Sequence, residues 1–287
     1  MNSTSNVASP EVITPQPQNS SGANWSLWRR QLAGVVRLEL RKNILSRRML
    51  PLLLLAVLPV VWMAIISVAP LSEADRLKIE PNPAFAFVFR VYYLKIAIFL
   101  SCLVAFVQLF RGDILDRSLH YYLLCPVRRE IFVAAKYLVG SLSSSLVMAA
   151  SVAATYLVVH LSFGSASLGS LVSGLLTYAA IAVLGCLGYG AVFMLMGLFF
   201  KNPVLPAIGL FLLELANPFL HPLIKKISII HYLISLLPHH VSVGAFEILA
   251  SKTSPFISVP SLLVVIAATV WLASWRLRQM EITYSDD

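Results

Sequence analysis

The chain has 287 residues, of which 58% are hydrophobic and only 12% charged. Ordinary soluble domains carry about 25% charged residues, so this composition, with a mean hydropathy of +0.81, excludes a water-soluble domain and predicts an integral membrane protein. The formal net charge is +9, but most Lys and Arg residues flank apolar runs, where anionic headgroups and the positive-inside rule account for them and no nucleic-acid partner is needed.

Residues 1–24 are rich in Ser, Asn, Pro and Thr, with Glu11 the only charged side chain and no apolar core of a secretory signal. They are expected to form a disordered cytoplasmic tail. Residues 25–48 change character. Trp25, Trp28, Leu32 and Val36 share one helical face, and Arg30, Arg37 and Arg41 another. This pattern predicts an amphipathic helix lying in the headgroup region against membrane lipid.

Residues 49–280 form the expected transmembrane domain, followed by a short cytoplasmic tail, 281–287. A span needs about 20 apolar residues to cross roughly 30 Å of hydrocarbon. Six runs are candidates: Met49–Ala69, Val91–Phe110, Tyr137–Val159, Leu171–Phe200, Pro203–Leu220 and Ile257–Trp275. The fifth is short and carries Pro203 and Pro206 near its start. The loops on one side hold fifteen Lys and Arg, against six on the other, where Arg76, Lys78, Arg90, Lys225, Lys226 and Lys252 fall. The positive-inside rule then puts both termini in the cytoplasm.

The long charged stretch between spans two and three is Arg111–Lys136, RGDILDRSLHYYLLCPVRREIFVAAK. Gly112 is expected to break the preceding helix and Asp113 to cap a new one. Asp116 adds negative charge to its first turn, and Pro126 ends it. Leu115, Leu119, Tyr122 and Leu123 give that short helix an apolar face. The order of acidic residues, Arg117-Ser118-Leu119, Tyr121-Tyr122-Leu123-Leu124, Pro126-Val127-Arg128-Arg129 and then Lys136 resembles the loop between the second and third spans of ABC-2-type permeases. Here Ser118 stands where the family usually has Thr.

The resemblance implies the membrane subunit of an ABC transporter, an exporter in a bacterial inner (plasma) membrane. It implies that the loop is a coupling helix docking on a separate cytosolic ATPase, with Asp113, Asp116, Arg117, Leu119, His120, Tyr121 and Tyr122 as contact residues. Arg128 and Arg129 are expected to hold headgroups. It also implies pairing with a second copy or homologue. ATP and Mg would belong to the ATPase; no cofactor is expected in this chain, nor catalysis. The sequence has no G-x-x-x-x-G-K-[ST], no H-E-x-x-H and no G-x-S-x-G.

Span three carries small residues at spacings such as Gly140/Ser144 and Ala149/Ala153, which allow close helix approach. Between spans five and six, Pro218, Pro222, Pro238 and Pro255 punctuate a segment whose apolar run Ile227–Leu237 is too short to cross. Short re-entrant or interfacial helices are expected there, as in ABC-2-type permeases. Lys95 and Glu214 are intramembrane charges, candidates for the substrate path or for an ion pair with each other. Four histidines, His221, His231, His239 and His240, lie near the last loop without acidic or cysteine partners, so no metal site is expected. Cys102, Cys125 and Cys186 lack metal-ligand spacing. The expected fold is an all-α membrane protein of six transmembrane helices. The competing readings are a secondary transporter or channel working without ATP, with paired interrupted spans, and an intramembrane enzyme, with matched polar catalytic groups.

Overall fold

The structure is a computed structural model that describes residues 50–70, 80–115, 129–164, 167–200, 202–216, 228–239 and 254–279, together with 33–34 and 36–37. Among the described residues the fold is helical, with no strands. We label the helices α1 (Leu50–Val68), α2 (Pro81–Val88), α3 (Ile98–Leu115), α4 (Arg129–Phe163), α5 (Leu168–Phe199), α6 (Val204–Leu215), α7 (Ile229–Ser235) and α8 (Pro255–Gln279). A π-helical segment, Phe89–Ala97, joins α2 to α3 without a break.

Five stretches are long and apolar enough to cross a membrane: Leu50–Val68, Pro81–Val107, Val133–Phe163, Leu168–Phe199 and Pro255–Arg276. In hydrocarbon every backbone polar group must be satisfied internally, and helices do this within one segment. The chain is therefore a multi-pass membrane protein, all-α over the described residues.

Helix α5 is the centre of the bundle and touches α3, α4, α6, α7 and α8. Its most apolar stretch is 56% buried, against 17% for α1 and for α8, which stand at the rim. Lipid tails are as apolar as Leu, so burial alone does not drive helices together there; close packing and interhelical hydrogen bonds do. Phe106 shows how tight that packing is. Its ring lies between Gly140 of α4 and Gly190 of α5, where an added methyl group would sit 2.8 Å and 2.6 Å from it. Aromatic rings fill the rest of the interface. Tyr178 meets Phe85 and Phe89 at centroid distances of 4.8 and 4.9 Å, and Phe99 meets Phe193 at 4.9 Å and Phe211 at 5.1 Å.

Two expectations need correction, and the fifth span is seen among the described residues only as a short helix. The second span does not begin at Val91. Its helix starts at Pro81, where proline suits the first turn because its missing N–H would be unbonded anyway. Arg90, assigned above to a loop, therefore lies inside the helix. Gly112 does not break the helix either. Helix α3 runs through it and through Asp113 to Leu115, so Asp113 is no N-cap; one glycine costs a helix only about 1 kcal/mol relative to alanine. Finally, the expected span Pro203–Leu220 contains a helix of 12 residues, about 18 Å long against roughly 30 Å of hydrocarbon.

Candidate functional site

Among the described residues, three places bring buried polar groups of different helices together. The first is the joint between α6 and α7. Leu215 ends α6 and Ile229 begins α7, and the two helices follow one another along α5 in the opposite direction to it. Phe211 packs on Phe99, which also touches Tyr189 and Phe193 of α5. Glu214 lies beside Tyr189, and Ile229 and Leu233 lie against Gly188 and Gly185, each 3.3 Å from where a methyl group would be. Successive levels of α5 thus meet α6, then Glu214, then α7.

Glu214 is only 4% exposed. The first N–H groups of a helix have no partner within it, and Ser228, which precedes α7, makes no capping bond with its hydroxyl. That hydroxyl donates instead to the Glu214 carboxylate, and the Ile229 N–H donates to Glu214 Oε1 at 3.2 Å. A carboxylate at the positive end of a helix is favoured by charge as well. The buried Tyr189 hydroxyl faces the same carboxyl outside hydrogen-bond geometry.

The second place is the π segment. Its end is marked by the Ile98 N–H bonding to the Tyr93 carbonyl, five residues back; such windings often occur at functional sites. The Tyr93 hydroxyl meets Ser151 Oγ at 2.7 Å and Thr155 Oγ1 at 2.8 Å, and Ser151 donates onward to the Ala56 carbonyl. The Tyr92 hydroxyl donates to the Leu55 carbonyl at 2.8 Å. These bonds tie α1 and α4 to the segment. Arg90 is 4% exposed, Lys95 is half-buried, and Arg90 is the charged group acting on Lys95. Glu214 instead bonds Ser228 and Ile229, so the candidate intramembrane charges belong to different clusters. Near the Pro81 end, the two His160 ring nitrogens lie 3.0 Å from the Tyr156 carbonyl and 3.0 Å from Asn82 Oδ1.

The third place is the root of the charged loop. Lys136 is fully buried, and its Nζ donates to the Leu109 carbonyl at 2.6 Å, joining α4 to α3. Asp113 lies in the final turn of α3, Arg129 opens α4, and Arg37 is exposed and helical. Asp116, Arg117, Leu119, His120, Tyr121, Tyr122, Arg128, Trp25, Trp28, Arg30 and Arg41 lie outside the described residues. Among the described residues, no three His, Cys, Asp or Glu side chains form a metal-binding group.

Sequence reading missed Arg90, Lys136 and Ser228. The signal for Arg90 was Pro81-Asn82-Pro83 followed by the apolar Ala84–Phe89, which marks a helix start nine residues upstream of it. Comparison with known proteins adds no identity: no family model and no curated protein matches the chain.

Proposed function

We propose that this chain is the membrane-spanning subunit of an ABC exporter of the ABC-2 type, in a bacterial inner membrane with both termini cytoplasmic. The observation that carries the reading is the short helix α7. Its Ile229, Ile230 and Leu233 are buried, and it is inserted beside α5, α8 and the π segment just ahead of the last span. A short re-entrant helix is expected there in such a subunit. In this reading α6 belongs to the fifth of six crossings and α7 is the short re-entrant helix that follows it, with Glu214 at the joint.

The coupling part of the proposal rests on the loop motif and on the helices at its root. Helix α3 extends to Leu115, α4 begins at Arg129, and Lys136 fastens one to the other. A push on the loop between them, delivered by an ATPase through Asp116, Arg117 and Leu119–Tyr122, is passed to both helices together. Two such subunits enclose the path, and each binds one ATPase carrying ATP and Mg. The test is reconstitution in vesicles. Export that needs nucleotide, the ATPase and this chain together supports the proposal; nucleotide-independent transport by this chain alone overturns it.

A further inference from the structure

Glu214 brings an ionisable group to mid-depth in the bundle without a counter-charge. It stands ten residues into α6, and Tyr189 stands ten residues before the end of α5. At about 1.5 Å per residue, both lie about 15 Å from the end where α5 passes into α6, half of the roughly 30 Å of hydrocarbon.

Neutral groups alone answer the carboxyl. The Ser228 hydroxyl and the Ile229 N–H donate to it. Helix α5 carries no acidic or basic side chain; of its titratable groups Tyr189 faces the carboxyl, while Cys186 lies one turn away against Cys102 of α3. Helix α7 carries His231 and Tyr232, and His231 is two residues past Ile229, about 200° round the axis. Among the described residues, neither these two nor Arg90, Lys95 or Arg276 acts on Glu214.

An ion taken out of water needs an opposite charge to offset its desolvation. The start of a seven-residue helix supplies only a fraction of one. A proton removes the charge and still leaves an oxygen for the Ile229 N–H. It also uses the polar group left over beside it. The Tyr189 hydroxyl is fully buried and has no hydrogen bond. A carboxylic acid has a proton to donate and Tyr189 an oxygen to receive it, so a turn of the carboxyl completes the set.

We propose that Glu214 is a proton-binding site: its carboxyl holds a proton while α7 is seated on α5 and releases it to water when α7 lifts. Proton and helix are then linked, so raising the pH loosens α7 and lowering it seats α7.

The test is infrared spectroscopy of the full chain in maltoside detergent, which has no carbonyl group, at about pH 7.5, where solvated Asp and Glu are ionised. The expected result is a carboxylic-acid C=O band that moves down in D2O and is absent from Glu214→Gln. Tyr189→Phe, which removes the acceptor, should move the band up. A spectrum without the band, or a band that neither variant changes, overturns the proposal. Melting temperatures check the fold; if Glu214→Gln melts early, Tyr189→Phe decides alone. Hydrogen exchange at Ile229–Ser235, divided by the intrinsic rate at each pH, tests the linkage. It should speed up by at most about tenfold per pH unit, the limit for one linked proton, and stay flat in Glu214→Gln. A flat wild-type profile from about pH 7 to 10 overturns the proposal. Neither measurement needs nucleotide or ATPase, so failure here and failure of the exporter reading are told apart.

Discussion

The Ile229 N–H donates to Oε1 of Glu214 at 3.2 Å, tying the end of one short helix to the start of the next. With the Ser228 hydroxyl on the same carboxylate, this one side chain joins two short helices that both pack on α5. Glu214→Ala should destabilise the protein by about 1–3 kcal/mol, because a cap is lost and a buried N–H is left unbonded. Glu214→Gln keeps an acceptor oxygen and should lose less. Thermal unfolding in detergent measures both, and hydrogen exchange at Ile229–Ser235 should rise selectively in the alanine variant.

Lys136 makes a different kind of tie. Its ammonium is fully buried and reaches the Leu109 carbonyl at 2.6 Å. Hydrogen bonds from charged groups contribute about 1.5–3 kcal/mol. Lys136→Met should therefore cost about that much stability while largely keeping the side chain's volume. If the tie transmits the ATPase stroke, the variant should also lower transport per ATP hydrolysed, measured in vesicles containing both subunits.

Gly190 and Gly140 leave room for the Phe106 ring and nothing more. Gly190→Ala would place a methyl group 2.6 Å from that ring, and overpacking of this kind costs about 1–3 kcal/mol. Trimming the ring should relieve it: Phe106→Leu combined with Gly190→Ala should melt above Gly190→Ala alone. Additive losses in the double variant would show that the clash is not the cause.

The membrane class and most helix positions were legible because apolar runs of span length admit few other folds. The first span, expected over Met49–Ala69, is the helix Leu50–Val68. Charges misled where they sit inside helices. Arg90 reads as a loop residue in a hydropathy scan, since one Arg outweighs several apolar neighbours, yet the helix continues on both sides of it. Lys136 reads as the start of a span and is instead a buried cross-link. Glu214 stood out as a costly intramembrane charge, but sequence gave no hint of its partners, because Ser228 and Ile229 arrive only after an intervening segment. The π winding was invisible for a related reason. It leaves no period in the sequence, and the bonds of Tyr92 and Tyr93 to α1 and α4 join residues far apart along the chain.

The central claim, that this chain receives force from an ATPase through the loop after α3, is tested most directly by co-purification. The tagged chain is isolated in mild detergent from cells that make it naturally, and ABC ATPase is quantified by mass spectrometry beside it. The account predicts an ATPase in near-equal amount with the wild-type chain. It predicts an at least tenfold loss in Asp116→Ala and Arg117→Ala variants that still melt like the wild type. A chain that purifies without any ATPase and still moves its substrate in nucleotide-free vesicles would contradict it.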